Sequence, residues 1–288
     1  SWRRSRIAGS PATATGSPAP SAPRVPDPRG RVALITGASA GIGAATARML
    51  AGAGMRLALC ARRRDRLVAL ATELGAGGAE VSVHAIDVTD EAALRSMVDA
   101  VARRHGALDV LVNNAARGLA ARFDDTAPAE FRALLELNLL APIVAIQAAL
   151  PHMRRQGRGH VINVSSVVGR RNIPGRAAYG ATKFALGAVS EALRLELRGT
   201  GIVVSLVYPI YTATEFHQAE TRRMEMRRTG PIQSAETVAR AILRCVRRPR
   251  PEVYPYRPAR LLAGLSALVP GLVDRAMGRA LATASRRS

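Results

Sequence analysis

The chain has few of the residues that mark several common classes of protein. Only two of its 288 residues are cysteines, Cys60 and Cys245, and aromatic residues make up 3%. Two distant cysteines outside any metal-ligand spacing exclude a disulfide-rich scaffold and predict no metal site. They are typical of a reducing compartment, so we expect a cytoplasmic protein. With few aromatic rings, aliphatic side chains must form most of the core.

Lysine is almost absent, although the chain is strongly basic. Lysine and arginine total 42 against 21 acidic residues, a net charge of +21, yet Lys183 is the only lysine. Such a bias indicates a general preference for arginine rather than selection for a phosphate-binding groove. The sequence contains no zinc-finger spacing, basic zipper or basic strand interleaved with aromatic residues. We therefore expect no specific nucleic-acid partner, only loose adhesion to anionic surfaces at low salt.

The first 29 residues lack apolar periodicity and contain a single acid, Asp27. Their Ser, Pro, Ala, Gly and Thr content predicts a disordered extension, since it buries too little apolar surface. An organellar targeting segment is the alternative, because the start is rich in arginine. We expect one domain over residues 30–256 and a helical extension over 257–288.

From Arg31 onward, short apolar runs alternate with longer helical stretches. The runs lack polar alternation, which predicts strands buried on both faces of a parallel sheet. The fold class is therefore α/β, a doubly wound Rossmann-type sheet in three αβα layers. The predicted strands are 32–36, 56–60, 81–86, 108–112, 160–164 and 202–207. The first predicted helix follows the first strand and ends at residue 50, and the others are 64–74, 91–104, 128–153 and 176–198.

No uncharged run is long enough to predict a membrane span. The stretch 137–151 has 15 residues and is interrupted by prolines, whereas a span needs about 20 apolar residues. The apolar segment 261–273 is shorter. It is either a helix covering a pocket or subunit contact, or a site of weak peripheral membrane contact helped by Arg257, Arg260 and Arg275.

A glycine-rich turn follows the first predicted strand and opens a helix. It reads Thr36-Gly37-Ala-Ser39-Ala-Gly41-Ile42-Gly43. Glycines allow a tight turn and close approach of the backbone to a pyrophosphate, and the helix N-terminus offers free N–H groups. The turn therefore predicts a dinucleotide site.

The end of the second strand bears on which dinucleotide binds. An acidic residue here holds the ribose hydroxyls of NAD, whereas an arginine suits the 2′-phosphate of NADP. The sequence has Ala61 followed by Arg62. A planar guanidinium can grip a phosphate with two hydrogen bonds. We predict NADP(H) over NAD(H); alternatively, the arginines simply begin a solvated helix.

Tyr179 and Lys183 lie four residues apart at the start of a predicted helix, so they share one face. An ammonium beside a phenol favours the phenolate and is expected to lower the pKa of the tyrosine from its ordinary value of about 10. Such a phenol exchanges a proton with an alcohol or carbonyl. The only lysine of the chain falls at this position, which favours a functional role.

These motifs together resemble the short-chain dehydrogenase/reductase family over about residues 31–251. The resemblance implies a proton-transfer role for Tyr179, tuned by Lys183, with Ser166 orienting the substrate oxygen. It implies that Asn138 bends its helix and holds a water for proton relay; a purely structural asparagine is the alternative. It further implies cofactor contacts at Gly37, Ser39, Gly41, Ile42, Gly43, Arg62, Asp87, Val88, Asn113, Asn114, Tyr179, Lys183, Thr212 and Thr214.

One position departs from the family pattern. Ile210 stands where the family has glycine after Pro209, and a β-branched residue does not readily adopt positive φ. The loop beside the nicotinamide is therefore expected to be reshaped. Residues 212–230 are expected to form a mobile flap over the substrate. Its Met224 and Met226 either line an apolar pocket or belong to a solvated helix with one packed face.

The resemblance implies an oxidoreductase that transfers hydride between NADP(H) and a carbonyl or secondary alcohol, and a homodimer or homotetramer. The alternative is a catalytically silent dinucleotide-binding regulator or scaffold, suggested by Ile210 and the unusual termini. The intact set of Ser166, Tyr179 and Lys183 argues against it.

Overall fold

A computed structural model of the protein describes residues 27–217, 220–224 and 230–275. The predicted N-terminal extension up to residue 26, the predicted pocket residue Met226 and residues 276–288 of the predicted helical extension lie outside these ranges. The strands are β1 Val32–Thr36, β2 Arg56–Ala61, β3 Val81–Ala85, β4 Val110–Asn113, β5 Leu119–Ala120, β6 Gly159–Val164, β7 Ile202–Val207, β8 Thr212–Ala213, β9 Thr221–Arg222, β10 Gln233–Ser234 and β11 Glu252–Val253.

Along the chain the helices alternate with the strands of the main sheet, as the sequence pattern predicts, and one further helix follows β11. They are α1 Gly41–Gly52, α2 Arg64–Ala76, α3 Glu91–His105, α4 Pro128–Leu135, α5 Ala141–Arg155, α6 Ala177–Glu196, α7 Ala235–Arg247 and α8 Pro258–Leu268. A π-helical turn, Glu136–Leu140, joins α4 to α5, so the single helix predicted over 128–153 is interrupted. α7 and β11 were not anticipated.

The seven-stranded sheet has the order β11-β7-β6-β4-β1-β2-β3, and its neighbouring strands are parallel. Alternate residues of β1 enter two different apolar clusters, Val32 and Leu34 on one face and Ala33 and Ile35 on the other. Both faces of the sheet are therefore covered by helices. This confirms the doubly wound, three-layer fold.

The helical run Pro128–Arg155 is long and apolar enough to span a membrane, longer than the uncharged stretch counted in the sequence. Its second half, α5, packs in the core: Ala145, Ala149 and Met153 are buried in the same cluster as Leu111 of β4 and Val161 of β6. Packing against the sheet therefore accounts for its apolar character.

Candidate active site

The carboxyl ends of the central strands open into a cleft of about 2270 Å³. The strand order reverses between β1 and β4, and in α/β sheets ligands bind at such a switch point. The predicted site residues that line the cleft are Gly37, Ser39, Gly41, Ile42, Arg62, Asp87, Val88, Asn114, Ser166, Tyr179, Lys183, Thr212 and Thr214.

The glycine turn forms one end of the cleft, and its shape depends on glycine. Gly37 and Gly41 have φ of 67° and 54°, a region that disfavours other residues. A side chain on Gly43 would overlap the carbonyl oxygen of Gly37 and come within 2.7 Å of Asn114 Nδ2. α1 begins at Gly41, and the side chain of the preceding N-cap residue, Ala40, makes no capping hydrogen bond. The first N–H groups of α1 therefore fit a pyrophosphate.

Three predicted residues do not line the cleft, and each has another task. Gly43 lets α1 pack on the turn. Asn113 is buried within β4, where its amide donates to Asn163 Oδ1 at 2.8 Å. Asn138, fully buried in the π-helical turn, accepts from the N–H of Arg117 at 2.9 Å and donates to Thr182 Oγ1 at 3.2 Å.

Asn114 lines the cleft and also fixes the turn. Its Nδ2 donates to the carbonyl oxygens of Thr36 and Gly37 at 3.0 and 3.2 Å. The backbone N–H groups of Asn114 and Ala115 in turn donate to Thr36 Oγ1. The end of β4 is thereby tied to the end of β1, directly beneath the glycine turn.

Tyr179 and Lys183 lie at the other end of the cleft on the first turns of α6. Tyr179 is only 8% exposed and Lys183 only 2%. Lys183 Nζ lies 5.8 Å from the centroid of the Tyr179 ring and donates to the carbonyl oxygen of Val164 at 3.0 Å. Ser166 begins a short 3₁₀ helix after β6, which brings its hydroxyl to the same wall. The buried phenol and ammonium and the half-buried hydroxyl therefore line the same part of the cleft.

The pKa of Tyr179 moves in the opposite direction to that expected from Lys183. Burial raises it to about 12, since a phenolate is poorly solvated there, while a hydrogen bond with Ser166 and the charge of Arg176 oppose the rise. Burial also lowers the pKa of Lys183 to about 8. The expected lowering was wrong because it considered charge without desolvation. Tyr179 is consequently a protonated phenol at neutral pH.

Sequence reasoning missed two groups that surround Tyr179. The ring of Phe216, in a 3₁₀ turn after β8, lies 5.8 Å from the ring of Tyr179. Arg176, one turn before Tyr179, is buried in an ion pair with Glu220. Phe216 and Glu220 follow β8, in the segment 212–230 that the sequence predicts as a flap, but no local pattern indicated which of its residues would lie near Tyr179 and Arg176.

Arginines with acidic partners surround the end of β2. Arg62 Nη1 lies 3.7 Å from a carboxylate oxygen of Asp87, and both side chains are largely exposed. Arg63 Nη2 donates to Ser39 Oγ of the glycine turn at 3.1 Å. The side chain of Arg63, which was not singled out in the sequence, therefore joins Arg62 at this end of the cleft.

The loop carrying Ile210 avoids backbone strain. Among the described residues, only glycines have positive φ, so Ile210 is accommodated in an ordinary conformation. The loop is held by the pairing of β8 with β10, and Gln233 Nε2 donates to Thr212 Oγ1 at 3.0 Å. Thr212 and Thr214 are thereby presented to the cleft.

Comparison with known proteins identifies the family. The family model described as short chain dehydrogenase matches residues 31–225, more than half of the chain. The chain belongs to the short-chain dehydrogenase family. It is 36% identical over 225 residues to the glycine betaine reductase ATRR of Emericella nidulans; the match covers 76% of this chain but only 18% of that much longer relative.

Two solved structures of the family have the same fold. A short-chain dehydrogenase/reductase from Burkholderia phymatum, in complex with NAD, has a TM-score of 0.78 at 25% identity and covers 85% of this chain and 96% of its own. A metagenomic short-chain oxidoreductase in complex with NADP has a TM-score of 0.67 at 34% identity, with coverages of 77% and 92%. Together with the family match, they establish a short-chain dehydrogenase/reductase-type oxidoreductase.

Proposed function

We propose that this oxidoreductase transfers hydride between NADP(H) and a carbonyl or secondary alcohol. The observation that carries the proposal is one cleft with a glycine turn at one end and, at the other, buried Tyr179 and Lys183 beside half-buried Ser166. The turn, α1 and Thr214 would hold the dinucleotide. Bound nicotinamide would supply the hydride for reduction or accept it in oxidation.

The residues of the chain would perform the proton chemistry. Tyr179, protonated at neutral pH, is suited to donate its proton to the oxygen of a carbonyl under reduction. Ser166, at the same wall, is suited to donate a hydrogen bond to that oxygen as negative charge develops. A charged Lys183 would stabilise the phenolate that Tyr179 becomes. Asn138, in the π-helical turn, would hold a water molecule through which protons reach Tyr179 after each turnover.

The choice of NADP(H) rests on Arg62 and Arg63. Both line the cleft beside Ser39, and β2 ends in Ala61 instead of an acid. Guanidinium groups bind phosphate through paired hydrogen bonds. Since the two related structures contain NAD and NADP respectively, fold alone does not decide the choice.

Replacing Tyr179 with phenylalanine tests the mechanism. Tyr179→Phe should lower kcat for NADPH-dependent carbonyl reduction by about 100-fold or more, because the proton donor is lost. NADPH binding, measured by fluorescence titration, should remain. Tyr208→Phe is a matched control, since Tyr208 is fully buried but does not line the cleft. Near-normal turnover in Tyr179→Phe would remove the mechanism.

A catalytically silent regulator is the alternative, and a panel of carbonyl compounds separates the two. NADPH oxidation with any member supports the enzyme. Tight NADPH binding with no turnover across a broad panel would favour the regulator.

We also propose that the protein is cytoplasmic, in line with its two buried free thiols. We propose that it acts as a homodimer or homotetramer.

A second proposal concerns α8. This helix buries Ala259 and Ser266 but leaves Leu261 and Leu268 77% and 81% exposed. Exposed leucines beside Arg257 and Arg260 match an anionic membrane surface, which α8 would contact weakly and peripherally.

A further inference from the structure

The arginine-lined end of the cleft contains a carboxylate that comes from the loop after β8. Glu215 Oε2 lies 3.1 Å from Arg63 Nη1, and both of its carboxylate oxygens lie 2.6 Å from Arg66 Nη1. Arg63 also donates to Ser39 Oγ in the glycine turn. One carboxylate therefore joins two guanidinium groups where β2 passes into α2.

A phosphate would need the same donors. Carboxylate and phosphate oxygens both accept paired hydrogen bonds from a guanidinium, so Glu215 and a 2′-phosphate would compete for Arg63. Unless Glu215 moves away, its negative charge would also repel the phosphate. The Glu215 side chain is 46% exposed, which leaves it room to turn toward solvent. The ion pairs lower the pKa of Glu215, so the carboxylate is charged at neutral pH.

Glu215 is also the neighbour in sequence of Phe216, which lies at the catalytic end of the cleft. Glu215 and Phe216 are consecutive in one 3₁₀ turn, and the Phe216 ring lies 5.8 Å from the Tyr179 ring. The preceding Thr214 would touch any side chain placed on Gly41 of the glycine turn. Glu215 therefore belongs to a short segment that reaches from the arginines to Tyr179.

We propose that Glu215 weakens binding of the 2′-phosphate by competing with it for Arg63, and that phosphate binding thereby repositions Phe216 relative to Tyr179. The proposal rests on the proposed use of NADP(H). On this proposal Glu215 lowers the affinity for NADP(H). Its displacement by the phosphate also couples the cofactor end of the cleft to the catalytic end.

Two nucleotide fragments test the competition without any turnover. Binding of 2′,5′-ADP and 5′-AMP would be measured by titration calorimetry for wild type and Glu215→Gln. We expect a roughly three- to tenfold lower Kd for 2′,5′-ADP in Glu215→Gln and little change for 5′-AMP. Glu73→Gln is the matched control, because Glu73 forms a similar half-exposed pair with Arg48 outside the cleft. It should leave both constants unchanged.

The outcomes separate this proposal from the choice of cofactor. An unchanged 2′,5′-ADP constant in Glu215→Gln, or an equal gain for both nucleotides, overturns the role of Glu215 even if wild type prefers the phosphate. Equal binding of both nucleotides by wild type overturns the NADP(H) preference. If Glu215→Gln then acquires a preference for 2′,5′-ADP, the competition is still supported.

Hydrogen exchange tests the link to Phe216. In wild type, 2′,5′-ADP should increase exchange in a peptide covering Thr212–His217 more than 5′-AMP does, since only the former displaces Glu215. In Glu215→Gln, exchange should already be high, and the two nucleotides should act alike. Identical responses of wild type to both nucleotides would overturn the repositioning.

Discussion

Lys183 combines two properties that rarely occur together: it is a buried amine, and it is the only lysine among 42 basic residues. Burial lowers its pKa to about 8, close to neutral pH. An arginine there would stay charged at every accessible pH and would bring a larger planar group. A compact ammonium, still charged at neutral pH, therefore fits the buried place beside Tyr179 better than a larger planar cation does.

The lowered pKa of Lys183 predicts a pH-dependent stability. Below about pH 8 both folded and unfolded chains bind the proton, and the folded state carries the full cost of burying the charge. Between about pH 8 and about pH 10 only the unfolded chain keeps the proton, so the free energy of unfolding should rise with pH. The rise should approach about 3 kcal/mol.

Comparison with Lys183→Met measures this contribution, because other titrating groups cancel between the two proteins. In urea denaturation across this pH range, the Met variant should be the more stable near pH 7, and its advantage should shrink as pH rises. Parallel profiles would show that Lys183 is solvated in the folded protein.

At the scale of the element, the turn from β1 into α1 depends on the absence of a side chain at Gly43. Gly43→Ala should weaken NADPH binding by about tenfold or more and cost about 1–3 kcal/mol of stability, because the added methyl group displaces Gly37 or Asn114. Fluorescence titration and thermal unfolding would measure the two effects.

Gly52→Ala serves as the control in the same helix. Gly52 has no positive φ, and an added Cβ would meet nothing within 4 Å. This variant should bind NADPH normally and gain up to about 1 kcal/mol from helix propensity. Equal losses in both variants would mean that the loss in Gly43→Ala does not come from contacts with the cofactor turn.

The π-helical turn at Asn138 shows how an element can depart from its periodicity. Apolar spacing predicts one helix over 128–153, since it registers only which residues face the sheet. Asn138 lies in the π-helical turn, and there its side chain forms hydrogen bonds with the backbone of Arg117 and with the side chain of Thr182. These partners lie 21 and 44 residues away, so the interruption depends on tertiary contacts.

At the scale of the whole molecule, the net charge of +21 and the exposed leucines of α8 act together in the proposed membrane contact. The protein should sediment with phosphatidylcholine vesicles that contain phosphatidylserine, and much less with phosphatidylcholine alone. Combining Leu261→Ser with Leu268→Ser should reduce binding several-fold, because about 1.5–3 kcal/mol of apolar transfer is lost per fully inserted leucine.

Leu195→Ser is the control for this experiment, since Leu195 is 62% exposed on α6. It should leave vesicle binding unchanged. Binding that survives the paired α8 substitutions but vanishes at moderate salt would instead identify adhesion through the arginines alone.

The sequence by itself determined the parallel α/β fold and the pairing of Tyr179 with Lys183, because strand burial and the four-residue helical spacing are local patterns. It also located the glycine turn and placed Arg62 at the end of β2. The approach of Glu215 to Arg63, 152 residues away in sequence, and of Phe216 to Tyr179 was decided only by the tertiary structure. The same holds for the pKa of Tyr179, since desolvation depends on every segment that packs around a group and not on its neighbours along the chain.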